Sequence, residues 1–161
     1  LGTLHAATTA SGTAATGAVD LAASIETLAR AGSRRRGLMV VVSDFLAPEG
    51  WDRPLRALAH RHEVLAVEVV DPRELALPDV GVIELVDPET GDARELHTSA
   101  AVRDRYAEAA AAQREAIARR IRSTGADHLV LRTDRDWLLD VVRFVGRRKQ
   151  RRRVAAGTAH R

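Results

Sequence analysis

An uninterrupted apolar run that ends in a hydroxyl and a carboxylate constrains the fold of this chain more than any other stretch. The run from Leu38 to Val42 shows no alternation of polar and apolar residues, and Ser43 and Asp44 follow it directly. Such a run is typical of a strand buried on both faces of a parallel sheet. Ser43 and Asp44 are then expected at the carboxyl end of this strand, which is the edge where open α/β sheets bind ligands.

Two later segments predict further strands of the same sheet. Residues 64–70 form a second buried-strand candidate followed by Asp71, and residues 127–132 form a third. A short helix is predicted between the first two strands, at the spacing of a βαβ unit, which implies a parallel pair with a right-handed crossover. Residues 82–86 and 94–97 flank a turn that contains proline and glycine, so we expect a β-hairpin there.

Four helices are predicted from apolar periodicity and capping residues. Asp20 can cap the first helix, the helix before the second strand follows Gly50, Ser99 begins the longest helix, and Thr133 opens the last one. In the longest helix we expect Arg114 on an outer face and an inward stripe of Val102, Tyr106, Gln113, Ile117 and Ile121. In the last helix the residues expected to face inward are Leu138, Val141, Val142 and Val145.

Charge is distributed unevenly along the 161 residues. From Arg147 to Arg161 there are seven basic residues and no acidic one, which leaves 18 basic against 22 acidic residues elsewhere, a net charge of −4. The body of the chain therefore predicts no specific nucleic-acid partner. We expect a flexible N-terminal remnant over residues 1–19, one domain over 20–149, and a basic, disordered tail over 150–161.

Composition and the absence of targeting patterns in this sequence limit the predicted location of the protein. It has no cysteine, and no apolar run approaches the roughly 20 residues that a membrane span needs. There is no secretory signal pattern, so we predict a cytoplasmic protein. Since the only methionine is Met39, we expect the sequence to be a piece of a longer protein.

Acidic residues follow the predicted parallel strands and suggest one kind of chemistry. Asp44, Asp71, Asp134 and Asp136 would gather at one edge of the sheet, where clustered carboxylates suit Mg²⁺. The alternative is that Asp71, Asp134 and Asp136 begin turns or helices and that Asp44 opens a loop. The two histidines of His60-Arg-His62 do not share a helix face, and no common nucleophile, zinc or phosphate-binding motif occurs. No catalytic residue is predicted.

Five short segments together resemble one known family. The segments are 42–46 (VSDFL), 71–75 (DPREL), 77–81 (LPDVG), 87–91 (DPETG) and 133–137 (TDRDW). On these segments the chain is similar to members of the domain of unknown function 58 family, which have a von Willebrand factor A-like fold and commonly accompany MoxR-type AAA+ ATPases. The resemblance covers about residues 20–149 and implies the C-terminal part of such a domain, with a partial, Rossmann-like parallel sheet flanked by helices and a β-hairpin insertion.

The resemblance also implies a metal-ion-dependent adhesion site, built in the family from an Asp-x-Ser-x-Ser motif, a threonine and an aspartate. The aspartate matches Asp44, whereas the threonine position holds Val19 and the first motif is not in this sequence. Asp44 is thus the one metal ligand carried over, with at most weak Mg²⁺ binding and no other cofactor. The implied function is a non-catalytic protein-interaction module, a partner of a MoxR-type ATPase in assembling or remodelling other proteins. The alternative is a Mg²⁺-dependent phosphoesterase that uses Asp44 with Asp134 or Asp136.

Overall fold

The computed structural model describes residues 20–31, 35–48, 50–86 and 93–158. Within these ranges, helices and strands alternate along the chain as expected for an α/β protein, except where the two strands of the hairpin follow each other directly. Their bounds are α1 Leu21–Ala31, β1 Leu38–Ser43, α2 Asp52–Arg61, β2 Glu63–Val70, a 3₁₀ turn Pro72–Glu74, β3 Val82–Val86, β4 Ala93–His97, α3 Ala100–Ser123, β5 Asp127–Arg132 and α4 Trp137–Thr158.

The main sheet has three parallel strands in the order β1-β2-β5. In its register Val41 lies opposite Ala66, and Ala66 lies opposite His128. Strands β3 and β4 form a separate antiparallel pair, so the predicted hairpin is confirmed. The predicted fold class is also confirmed, because a parallel sheet flanked by helices carries the hairpin as an insertion.

Helices cover the two faces of the sheet unequally. On one face, α1, α2 and α3 bury a large cluster that includes Ile25, Leu55 and Ile121, together with Val41 and Ala66 of the sheet. We call this the α1–α3 face. On the opposite face, α4 buries a smaller cluster of Val67, Leu129 and Phe144. We call it the α4 face. Side chains alternate between faces along each strand, so both clusters draw on the same strands.

The predicted inward face of α4 is wrong in part. The helix packs Val141 and Phe144 against the sheet, whereas Leu138, Val142 and Val145 are exposed. Apolar residues occupy well over one side of this helix, and a sheet contacts only one side. The bulky Phe144 ring sets the rotation, so the neighbouring apolar row points away from the cluster.

The burial of β1 also differs from the prediction. Met39 and Val41 face the core on the α1–α3 face, but Leu38, Val40 and Val42 are exposed on the α4 face. The reason is that α4 packs over β2 and β5 and does not cover β1. The strand is therefore buried on one face, although its sequence has the pattern of a strand buried on two.

Helix α4 continues through Thr158, beyond the point where the composition predicts disorder. Arginine and alanine dominate residues 150–158, and both have high intrinsic helix propensity, which favours extension of the helix. The predicted remnant over residues 1–19 lies outside the described residues. In the part of the chain that the structure describes, no helix is long and apolar enough to cross a membrane.

Candidate functional site

The loop after β1 is a tight turn held by its own side chains. The Ser43 hydroxyl accepts a hydrogen bond from the Phe45 amide at 3.0 Å, and one carboxylate oxygen of Asp44 accepts from the Leu46 amide at 3.0 Å. Phe45 has φ of 57°, in the left-handed region that bulky residues rarely adopt. Its buried ring packs edge to face on Trp51, with ring centroids 5.1 Å apart, and this packing holds the strained turn in place.

Arg114 of α3 joins this loop to two other segments. Its guanidinium donates to the Asp44 carbonyl at 3.0 Å, to Glu68 of β2 at 3.3 Å and to Glu74 of the 3₁₀ turn at 2.9 Å. The Arg114 side chain is only 16% exposed. The prediction that it lies on an outer face is therefore wrong, since one buried cation satisfies acceptors from three segments at the carboxyl edge of the sheet.

Glu68 has a second partner in the next strand. One of its carboxylate oxygens lies 2.7 Å from Nε2 of His128, and the Glu68 side chain is 3% exposed. An ionised carboxylate only accepts hydrogen bonds, so the His128 ring donates through Nε2. We call Arg114, Glu68 and His128 the buried charge network; Glu74, whose side chain is 49% exposed, borders it. In this network, the Glu68 carboxylate is shielded from water and has hydrogen-bond donors on two sides, as burial of a charge requires.

A shallow pocket lies beside this network. Its volume is about 270 Å³, and the Tyr106 hydroxyl on its wall donates to the Glu74 carbonyl at 3.0 Å. Tyr106 and Gln113, predicted to face the core, are exposed here instead. The wall combines apolar carbon with amide, hydroxyl and charged groups, so the pocket can accept a side chain from a protein segment. Its lining residues are Leu46, Glu74, Tyr106, Ala110, Gln113 and Arg114.

A second arginine of α3 fixes the helix that follows the β1 loop. Arg120 donates to Asp52 at 2.8 Å, and its guanidinium carbon lies 4.8 Å from the centroid of the Trp51 ring. The hydrogen bond from Arg120 lowers the pKa of the Asp52 carboxyl below its usual value. This contact positions Trp51, and through Trp51 it supports the Phe45 turn.

The other acids expected at this edge do not converge with Asp44. Asp71 accepts from the Arg73 amide at 2.9 Å, and Asp136 accepts from the Leu138 amide at 3.0 Å as the cap of α4. Asp134 is paired with Arg132 through two hydrogen bonds of 3.0 Å, which lower the pKa of its carboxyl. These three acids therefore occupy turn and helix-start positions, as the alternative to a metal site predicts.

No three histidine, cysteine or acidic side chains among the described residues are grouped so that they could hold a metal ion. Metal binding at Asp44 stays a prediction, and Val19 lies outside the described residues. The histidines at 60 and 62 are also separate, because His60 is exposed whereas the buried His62 accepts from the Gly37 amide at 3.3 Å.

Sequence reasoning missed the buried charge network. One signal for it was present, because Glu68 interrupts a strand that is otherwise apolar. A carboxylate in such a strand requires a buried partner. The sequence does not say which of the many arginines supplies it, since Arg114 lies 46 residues away.

Comparison with known proteins identifies relatives of the chain. A family model described as "Protein of unknown function DUF58" matches residues 3–116. An uncharacterized protein of Mycobacterium avium is 57% identical over 136 residues, covering 84% of this chain and 78% of the relative. An uncharacterized protein of Mycobacterium tuberculosis is 57% identical over 131 residues, but the match spans only 41% of that relative.

Among solved structures, the chain is similar to the conserved hypothetical protein BatB from Bacteroides thetaiotaomicron. The TM-score is 0.44 at 14% sequence identity, and the match covers 86% of this chain and 62% of that one.

Proposed function

This chain belongs to the DUF58 family of proteins of unknown function, and from that premise we propose that it is a non-catalytic protein-interaction module. We further propose that its fold is von Willebrand factor A-like and that its partner is a MoxR-type AAA+ ATPase. Together the two proteins assemble or remodel other proteins. A cytoplasmic location suits a partner that consumes ATP.

The observation that carries this proposal is that the charged groups at the carboxyl edge of the sheet are hydrogen-bonded to one another. Arg114 and Glu68 are bound to each other, and Glu68 also binds His128. Groups held in this way fix the shape of the surface beside them. The open pocket beside them offers a binding surface whose shape the network fixes.

We propose that the partner inserts a side chain into this pocket. Ala110 lines the pocket and is half-buried, whereas Ala112 lies on an exposed side of the same helix. An arginine at position 110 would fill the pocket, and an arginine at 112 adds the same charge elsewhere. Ala110→Arg is expected to weaken binding to the MoxR-type ATPase of the same genome by about tenfold or more, a loss of at least about 1.4 kcal/mol.

Biolayer interferometry with the purified ATPase measures this effect, and the control Ala112→Arg should bind within about twofold of the original chain. Equal affinities for the two variants would show that the pocket is not the contact. No measurable binding of the original chain would reject the ATPase as partner.

The absence of catalysis is tested separately. Asp44→Asn keeps the oxygen that accepts from the Leu46 amide but removes the charge that a metal ion would require. We expect neither the original chain nor this variant to hydrolyse bis-p-nitrophenyl phosphate with Mg²⁺ or Mn²⁺. Hydrolysis by the original chain that Asp44→Asn abolishes, together with calorimetric metal binding lost in the same variant, would establish the phosphoesterase alternative.

A further inference from the structure

The floor of the pocket beside the buried charge network is one face of helix α3. Tyr106, Ala110, Gln113 and Arg114 line it, and their spacing places them on the same side of the helix. Ala110 has only a methyl group, whereas the residues one turn before and one turn after it carry long side chains. The pocket therefore lies above Ala110, between the Tyr106 ring and the Arg114 side chain.

Two loops at the carboxyl edge of the sheet form the walls. Leu46 follows β1, and Glu74 belongs to the 3₁₀ turn after β2. The Tyr106 ring is fixed between α3 and this turn, because its hydroxyl donates to the Glu74 carbonyl at 3.0 Å. Leu46 and Tyr106 are each 39% exposed. The pocket thus offers an aliphatic side chain and an aromatic ring, with a carboxylate next to them.

The Glu74 carboxylate has an unused acceptor. Its Oε2 atom accepts from Arg114 at 2.9 Å, whereas its Oε1 atom has no partner in the part of the chain that the structure describes. The Gln113 amide is exposed and forms no hydrogen bond with the described residues either. Since a carboxylate only accepts hydrogen bonds, the pocket favours a ligand that donates them.

The charges around the pocket favour a cation. Arg114 is the one cation among the six lining residues, and its largely buried guanidinium already donates to the Asp44 carbonyl and to the carboxylates of Glu68 and Glu74. Together with the Asp44 carboxylate, these acids outnumber the guanidinium, and they do so even when His128 carries a proton on both ring nitrogens. A cleft with an excess of one sign of charge concentrates ligands of the opposite sign.

We propose that the pocket binds an arginine side chain of the partner protein. The planar guanidinium stacks on the Tyr106 ring and donates to Oε1 of Glu74, and the aliphatic stem packs on Leu46. Arginine suits this site better than lysine, because a guanidinium combines stacking on a ring with several donors in one plane. The inference rests on the proposal that the partner inserts a side chain here, and it adds the chemistry of that side chain.

The size and the acceptors of the pocket disfavour other occupants. Its volume of about 270 Å³ is smaller than the roughly 300–1,000 Å³ of small-molecule sites, so it holds about one side chain. An acidic side chain would meet the carboxylate of Glu74 without a donor. An aliphatic side chain would cover the Oε1 atom of Glu74 and remove its water without replacing the lost hydrogen bonds, which is unfavourable.

A series of matched peptides tests the chemistry of the pocket without the ATPase. The probes are capped peptides of sequence Gly-Ser-X-Ser-Gly, in which X is arginine, lysine, leucine or glutamate. Binding to the 161-residue chain is followed by backbone amide shifts in two-dimensional NMR. We expect the arginine peptide to bind with a Kd of about 1–10 mM and to shift the amides of the lining residues. The lysine peptide should bind about threefold more weakly, and the leucine and glutamate peptides at least about tenfold more weakly.

Replacing Glu74 by glutamine separates the pocket from general charge effects. The glutamine oxygen can still accept from Arg114, but the charge that receives the ligand is lost. Glu74→Gln should therefore weaken binding of the arginine peptide at least about fivefold. The matched control is Glu115→Gln, which removes the same charge from an exposed ion pair with Arg119 on the same helix. It should leave the affinity within about twofold of the original value.

Two variants of Tyr106 test the ring itself, and they remain informative if Glu74→Gln does not fold. Tyr106→Phe and Tyr106→Leu both lose the hydroxyl that donates to the Glu74 carbonyl, but only Tyr106→Leu loses the ring. We expect the arginine peptide to bind Tyr106→Leu at least about threefold more weakly than Tyr106→Phe.

Three results would overturn the inference: equal affinities of the arginine and glutamate peptides, amide shifts located away from the pocket, or equal effects of Glu74→Gln and Glu115→Gln. The ATPase measurement is independent of these peptides. An arginine-selective pocket in a chain that does not bind the ATPase would reject the ATPase as partner and support the arginine site. ATPase binding by a chain that shows no preference for the arginine peptide would do the reverse.

Discussion

Replacing Arg114 by methionine is the change that most directly tests the buried charge network. Methionine keeps much of the apolar stem but leaves Glu68 without one of its two partners and the Asp44 carbonyl without its donor. Removing one member of a buried ion pair costs about 3–5 kcal/mol when the other charge is left alone. Glu68 keeps His128 at 2.7 Å, so we expect a smaller loss of unfolding free energy, about 2–3 kcal/mol.

Urea unfolding followed by tryptophan fluorescence measures this loss, and a thermal scan should show a decrease in Tm of about 4–12 °C. Arg119→Met is the matched control, because Arg119 forms an exposed ion pair with Glu115 on the same helix and should cost less than about 0.5 kcal/mol. The double variant Arg114→Met/Glu68→Gln should be less destabilised than the sum of the single variants by about 1 kcal/mol or more. If Arg114→Met and Arg119→Met cost the same, the network does not stabilise the carboxyl edge.

Three further predictions follow from packing and charge. The Arg120 guanidinium lowers the native pKa of Asp52. Their pairing therefore stabilises the fold above the unfolded carboxyl pKa of about 4, and this stabilisation is lost as the pH falls through the native pKa. Arg120→Gln should flatten this part of a curve of stability against pH, measured by urea unfolding. Leu55→Ala should cost about 2–5 kcal/mol in the same assay because Leu55 is fully buried, whereas Leu138→Ala, at an exposed position, should cost less than about 1 kcal/mol. Deleting the chain from Gln150 onward should abolish retention on heparin at low salt, since the body carries a net negative charge; retention that survives the deletion would place a basic surface on the body.

The loop of the candidate site could be predicted from the sequence, but its chemistry could not. Asp44 follows the apolar run of β1, so its place at the carboxyl edge follows from one stretch of residues. The partners of Glu68 come from α3 and β5, 46 and 60 residues away. These groups meet only because helix α3 is rotated so that Arg114 faces the sheet. Apolar periodicity alone predicted that the Arg114 side chain faces solvent.

What the sequence determined by itself is the order and type of the elements. A continuous apolar run specifies β1, and shorter apolar stretches specify β2 and β5. Ser99 and Asp136 mark helix starts, and Gly125, with φ of 85°, closes α3 because glycine adopts this conformation without strain. These signals are local, since each depends on a few neighbouring residues.

Tertiary structure alone decided which apolar surfaces are buried. Val40 of β1 and Val142 of α4 have the sequence patterns of core residues, yet both are exposed. Val40 is exposed because α4 covers only β2 and β5, and Val142 is exposed because α4 faces the sheet with Val141 and Phe144. An apolar pattern records that a surface favours burial, whereas actual burial needs a neighbouring element with room to pack there. Which parts of each sheet face are buried depends on how all the helices pack together. The pairing of a buried charge such as Glu68 depends on the same packing.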